Sequence, residues 1–314
     1  MGRVKGQPTA ERELTHGAVD VYVHASPDLI ERHWDDFGLV RSLVASGYRA
    51  AVHRHHFSST AERSVLVQHA TGFPLLGALL LNEPAGGFSP AVVEYALKNG
   101  AAWVGLPTSS ARHFLNRTGA SPYLPSPSGS ECGTVLDEDG RLRSVVHEIL
   151  HLVREHDAIL NLGYLAFEEC LAVCQAAEAT GVERLVLTSP EFAVGFSRAE
   201  IIELLEFPQL WVEVTAFTMH PTYILGDGAA SSEQRIQQAG SLIAAVGVDR
   251  CVLSSDGGIK VAPEPGELLE WSARQLIRLG FSEAQIRMLA VENPTALLGD
   301  HLEHALALVT PTDR

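Results

Sequence analysis

The stretch AVDVYVHASPDLIERHWDDFGLVRSLVASGYRAAVHR, residues 18–54, carries a β-rich apolar run at each end and a helical pattern between them. In the first run, 18–24 (AVDVYVH), side chains alternate with a period of two, the spacing that sends neighbours to opposite faces of a strand. In the middle, Ile30, Trp34, Phe37, Val40 and Val44 recur every three or four residues, which predicts an amphipathic helix. Gly47 stands where that helix should end, and 48–54 (YRAAVHR) reads as the next strand. Strand, helix, strand in this order predicts two parallel strands joined by a crossover.

The same unit repeats to about residue 300. Further strand candidates are 74–81 (PLLGALLL), 101–106 (AAWVGL), 158–164 (AILNLGY), 184–189 (RLVLTS), 210–217 (LWVEVTAF) and 250–255 (RCVLSS), making eight in all. Between them Phe167, Leu171, Cys174 and Ala177 keep helical spacing. Ser59 with Glu62, Ser197 with Glu200 and Ser282 with Gln285 have capping-box spacing, and Gly100, Gly181 and Gly280 fall at expected helix ends. Eight strand-then-helix units suit a single α/β domain closed into a (β/α)8 barrel better than an open doubly wound sheet. The expected organisation is an N-terminal extension over 1–17, the barrel over 18–302 and a C-terminal tail over 303–314. One long interruption, 119–143, is rich in Pro, Ser and Gly and reads as an excursion after the fourth strand, a candidate lid.

The 314 residues, 46% hydrophobic and 19% charged, are enough for one sizeable core. A net charge of −15 with no long run of Lys or Arg argues against nucleic acid and against an anionic membrane surface as partners. No segment is apolar over about 18 residues and the first 16 lack a secretory pattern, so the expected location is the cytoplasm and the expected partner a small molecule. The sequence is compatible with a homo-oligomer. No glycine-rich phosphate-binding run follows any strand, which removes the main support for a nucleotide site. Cys132, Cys170, Cys174 and Cys251 are too few and scattered for a disulfide framework. Cys170 and Cys174 could share a metal, though two thiols on a core face is the simpler account.

In a barrel of this kind reactive groups close the strands at their carboxyl ends. Strict alternation puts Asp20, Tyr22 and His24 on one inward face. The second strand ends in His53, Arg54, His55 and His56, of which at most two can share a side. The fifth ends at Tyr164, and the sixth at Ser189 with Glu191 beyond. The seventh carries Glu213 and leads to His220, and the eighth reaches Asp256. Several have a structural alternative. Asp256 could be a turn residue, His24 a hydrogen-bonded core histidine, and the tyrosines core aromatics whose hydroxyls find partners. Glu213 must either be neutralised by Arg54 or act on substrate. His147 and His151 share a helix face and read as surface or packing residues.

The opening Asp-x-Tyr-x-His-Ala-Ser-Pro-Asp at 20–28 resembles the Asp-x-His-x-His start of the metal-dependent amidohydrolases. HRHHFSSTAER (53–63), LLNEPAGGFSPAVVEYALKNGA (80–101), GYLAFEE (163–169), TSPEF (188–192), SSDGG (254–258) and ENPTALL (292–298) are similar to a little-characterised branch of that superfamily. The resemblance implies an amidohydrolase-like barrel with a metal site at the strand ends, in which His24, His56 and Asp256 keep the pattern. Tyr22, Tyr164 and Ser189 stand where histidines are expected, and Arg54 stands for a lysine; an arginine cannot form a bridging carbamate. Neutral hydroxyls are poor replacements for imidazole ligands, so a dinuclear centre is not expected.

Three functions follow from these residues. The first is an enzyme without a cofactor that uses acid–base chemistry on a small polar, carboxylate-bearing molecule, by lyase, cyclisation, isomerisation or hydrolysis. His24, Tyr22, Tyr164 and Asp256 would be catalytic, and Arg54, His55, Ser189, Glu191 and Glu213 would bind substrate, with Arg54 holding the carboxylate. The second is a mononuclear hydrolase of an amide or lactone with one zinc or manganese ion on His24, His56 and Asp256. The third is a catalytically silent barrel that binds a ligand or partner.

Overall fold

The computed structural model describes residues 14–119, 133–223 and 230–309. Each predicted apolar run forms a strand: β1 Val19–Val23, β2 Ala50–His53, β3 Leu75–Leu80, β4 Ala101–Gly105, β5 Ile159–Asn161, β6 Leu185–Thr188, β7 Leu210–Thr215 and β8 Cys251–Ser254. They pair in sequence order, every pair parallel. Just past β8 a parallel bridge from Gly257 to Val23 returns the sheet to β1, with His24 N–H donating to Gly257 O at 2.9 Å. This is the expected (β/α)8 barrel.

Two apolar layers hold it. Val19, Ala50, Val52, Leu76, Ala78, Val186 and Val252 fill the lumen, joined by Leu297, Leu298, Leu302 and Ala305. The second layer lies between the strands and the surrounding helices and includes Val23, Leu39, Leu43, Leu79, Val104, Leu187 and Leu253. Residues 303–309, expected as tail, belong to the helix Asp300–Val309, which thus contributes to the lumen rather than trailing from it. Of the proposed lid, 120–132 lie outside the described residues, as do 1–13 of the N-terminal extension. Among the described residues no helix is long and apolar enough to cross a membrane.

The helix expected to start near Ile30 starts at Asp36, where Asp35 accepts from Gly38 N–H as its N-cap. Its buried face is Gly38, Leu39, Val40 and Leu43, while Trp34, Phe37 and Val44 are exposed, so of the apolar spacing read from sequence Val40 faces the core and these three do not. The boxes at Ser197 and Ser282 form as expected, but the helix Ala61–Thr71 is preceded by Thr60, not Ser59. Thr60 is drawn inward instead, its hydroxyl bonding His53 O and Ala78 O.

Strict alternation also fails in β1. Asp20 pairs with Ala51 and Val23 with His53, three residues against two, so β1 carries one extra residue. Asp20 therefore faces away from the side that Tyr22 and His24 share. Its Oδ1 accepts from Tyr22 N–H (3.1 Å) and Ser255 N–H (3.0 Å), stabilising the irregular turn of chain. Oδ2 is buried without a hydrogen-bond partner, and burial pushes the Asp20 carboxyl up to about 7. A carboxyl raised in the fold binds more protons than in the unfolded chain. The stability it contributes is whole below its ordinary value and is lost as pH rises through about 7. Asp20→Asn keeps the Oδ1 acceptor and removes the charge. Its melting temperature should exceed wild type at pH 8, by less at pH 5, and converge on it only toward pH 4, with ~4 kcal/mol as the ceiling for a shift of about three pKa units. Parallel melting curves at all three pH values would refute the assignment.

Candidate active site

The carboxyl ends of β1, β2, β5 and β8 bring five of the expected side chains together: Tyr22, His24, His56, Tyr164 and Asp256. His24 Nδ1 lies 2.7 Å from Arg54 O. A carbonyl only accepts, so Nδ1 carries the proton and Nε2 of the neutral ring presents a lone pair. That Nε2 faces Asp256 Oδ1 at 3.3 Å. Burial, followed by the Arg32 charge, holds the His24 imidazolium well below the ordinary histidine range. Burial pushes Asp256 up to about 7 against the opposing pull of Arg32 and Arg54. Near neutral pH the pair therefore exchanges a single proton, with Asp256 as the member that gains or loses it. Asp256 is held at φ 51°, a left-handed conformation that Asp and Asn tolerate better than other side chains. Gly258 follows at φ 122°, and a Cβ there would lie 2.2 Å from His24 O, so the close approach of the two strand ends requires glycine.

Tyr22 stands 5.0 Å from His24 between ring centroids, and its phenol and that of Tyr164 act on each other's titration. Burial raises both phenols, in Tyr22 reinforced chiefly by Asp256 and in Tyr164 by Tyr22, so both stay protonated and act as donors. His56 packs on the other side of His24 at 5.2 Å. Its Nδ1 is 3.0 Å from Thr108 Oγ1, which also accepts from Asn82 Nδ2. Asn82 Oδ1 accepts from Thr108 N–H and Ser110 N–H, which fixes the amide orientation. The Thr108 hydroxyl proton then has His56 Nδ1 as its acceptor, leaving His56 Nε2–H as a donor.

The residues expected to bind substrate are engaged elsewhere. Arg54 donates through both Nη atoms to Glu213, at 3.0 and 3.1 Å, and lies flat between Tyr22 and Trp103, 4.1 and 3.8 Å from their centroids. Glu213 also accepts from Thr188 and from Ser254 Oγ at 2.7 Å. The pair thus forms a closed polar layer across the lumen, and of the two alternatives for Glu213 the structure takes neutralisation by Arg54. The Arg54 fork is not free for a substrate carboxylate. His55 bonds Pro27 O through Nε2 and accepts from Phe57 N–H and Ser58 Oγ through Nδ1, which fastens a loop. The Ser189 hydroxyl pairs with Thr215 at 2.8 Å, and Glu191 Oε1 takes two bonds from Arg198. Cys170 and Cys174 are buried free thiols in the core, and His147 and His151 are exposed.

The donor set fits a two-metal centre poorly. Two of the substituted positions, Tyr22 and Tyr164, are protonated phenols, and the third, Ser189, is tied to Thr215. Two buried guanidiniums, Arg32 and Arg54, act on Asp256 where a divalent cation would have to compete with them.

Arg32 is the residue that sequence reading missed. It lies in the 24–35 loop, which is zipped to the loop after β8: Arg32 bridges Ile259, and His33 N–H donates to Gly258 O at 2.9 Å. Only this pairing of distant loops brings it beside the site, and no local motif marks it.

A profile described as a family of unknown function, DUF6282, matches residues 17–213. No curated protein matches the chain. Among solved structures, an amidohydrolase from Pseudomonas aeruginosa superposes with a TM-score of 0.65 at 14% identity, covering 94% of this chain and 99% of its own. A protein from Pseudomonas putida assigned as a 2-pyrone-4,6-dicarboxylic acid hydrolase gives 0.57 at 16%, covering 90% and 97%. The organophosphorus hydrolase from Deinococcus radiodurans gives 0.56 at 16%, covering 93% and 94%. At these identities the likeness establishes the shared barrel.

Proposed function

The chain belongs to the DUF6282 family, and on that premise we propose that it is a hydrolase of a small polar lactone or ester, working by acid–base chemistry without a dinuclear metal centre. The observation that carries this reading is the His24–Asp256 pair at 3.3 Å, set beside the protonated phenols of Tyr22 and Tyr164. In its ionised form Asp256 takes a proton from water as the water oxygen bonds to the substrate carbonyl carbon. Negative charge passes to the carbonyl oxygen, where Tyr22 or Tyr164 donates to it. As that intermediate collapses, the C–O bond to the leaving oxygen breaks and Asp256 returns the proton to it. His24, fixed by Arg54 O, accepts from protonated Asp256 and holds the carboxyl in place between the two transfers.

Of the reaction types open on the sequence, hydrolysis is favoured because the similar barrels are named as hydrolases, one of them for a pyrone, which is a lactone, bearing two carboxyl groups. The test is a panel of lactones and aryl esters assayed before and after exhaustive chelation, with metal analysis of the same sample. Turnover should survive chelation. Activity abolished by the chelator and restored by zinc or manganese would overturn the reading in favour of a mononuclear hydrolase on His24, His56 and Asp256. Tight binding of panel compounds without turnover would favour a silent barrel.

A further inference from the structure

We propose that Arg32 is the anion anchor of this site and that the substrate accordingly carries a carboxylate, a role for which Arg54 is unavailable. The inference deepens the hydrolase reading and rests on it for the identity of the pocket.

The Arg32 side chain is 3% exposed, and among the described residues the only carboxylate paired with it is Asp28, whose own side chain is wholly buried. Asp28 accepts from Nε alone, at 2.6 Å. Its other oxygen accepts from Ile30 N–H at 3.2 Å, and His55 Nε2 stands 3.6 Å from the oxygen that Arg32 uses. Arg32 Nη2 is buried with no hydrogen-bond partner. A guanidinium brings five N–H donors in a planar fork, and leaving buried donors unmade is costly. A loop staple alone needs no more than the Nε bond. In the same molecule Arg54 has both Nη atoms on one carboxylate and both faces covered by aromatic rings, with its Nε left unpartnered instead, so the orphan nitrogen of Arg32 differs in lying at the open fork of the guanidinium.

The position of Arg32 fits the role. Its strand-like bridge to Ile259 and the His33–Gly258 bond hold its loop against the segment that carries Asp256. It is the foremost charge acting on both His24 and Asp256, and it also acts on His56, so the buried guanidinium is within electrostatic reach of the reacting group. A carboxylate bound there would supply the missing acceptor through the two-point geometry that arginine favours. It would also place a linked carbonyl beside Asp256.

Binding of malonate, a small dicarboxylate that cannot turn over, tests this directly by titration calorimetry. Wild type should bind it in competition with substrate, and sodium chloride at matched ionic strength should not reproduce the effect. Arg32→Gln should weaken binding at least tenfold. Because that change strands the buried Asp28 charge, Asp28→Asn/Arg32→Gln provides a neutral pair that keeps the loop, and it should show the same loss. Asp256→Asn should still bind malonate, since the anchor is separate from the proton-transfer group. Equal affinity in wild type and the double variant, or no binding to wild type, overturns the proposal. The readout needs no turnover, so metal-dependent or absent hydrolysis would overturn the hydrolase reading while leaving malonate binding to be judged by itself. Conversely, unchanged kcat/KM of the double variant on a carboxylate-bearing lactone would remove Arg32 and leave the hydrolase reading standing.

Discussion

Asp256→Asn is expected to lower kcat/KM by about a thousandfold while leaving the barrel folded, because general acid–base groups typically contribute that much and the change removes nothing else. Asparagine accepts the left-handed backbone at φ 51° as readily as aspartate. Its amide can donate to His24 Nε2 where protonated Asp256 does now. The melting temperature at pH 8 should be unchanged or higher, since a buried charge is gone. The pH profile separates this role from a merely structural one. With burial holding Asp256 at about 7, wild-type kcat/KM should rise with pH through that region as the carboxylate forms. The residual rate of the variant should lose that rise. The apparent value belongs to the His24–Asp256 pair, not to either residue. A variant with more than a tenth of wild-type activity and the same pH profile would place the proton transfer elsewhere.

How much of this was legible in the sequence depends on whether the signal is local. The eight strands were, because each is an apolar run bounded by turn residues, and parallel strands buried on both faces need no more than that. The pairing of Arg54 with Glu213 was half legible: two strand-interior charges of opposite sign in one lumen must meet or be costly, but which of them met substrate was open. The face of Asp20 was not legible. An extra residue in β1 depends on register against β2, and a run such as AVDVYVH reads the same with or without it. The helix after β1 failed for a related reason. Trp34, Phe37 and Val44 keep helical spacing yet are exposed, while Gly38, Leu39 and Leu43 pack inward, so apolar period alone selected a stripe in which Val40 faces the core and these three do not. Arg32 was beyond reach because its place beside Asp256 arises from two loops more than two hundred residues apart in the chain.

The same lumen that hides Arg54 from substrate makes it the most consequential residue for folding. Arg54→Ala leaves the Glu213 carboxylate at the centre of the barrel with two hydroxyl donors, Thr188 and Ser254, in place of a bidentate cation. It also empties the slot between Tyr22 and Trp103, whose rings lie 4.1 and 3.8 Å from the guanidinium carbon. Breaking one side of a buried ion pair typically costs ~3–5 kcal/mol. For a domain of this size that corresponds to a fall in Tm of about 5–8 °C. Removing both charges is a different perturbation, because no group is then stranded, so Arg54→Met/Glu213→Leu should recover most of the loss. Chemical denaturation of wild type, Arg54→Met, Glu213→Leu and the double variant would measure the coupling. The activity readout then distinguishes the two roles sequence left open for Arg54. If it acts only through the fold, the double variant regains kcat/KM together with stability and keeps its affinity for malonate. A double variant that is stable yet has lost malonate affinity would return the substrate carboxylate to Arg54, and an Arg54→Ala protein as stable as wild type would dismiss the polar layer as the element holding the lumen.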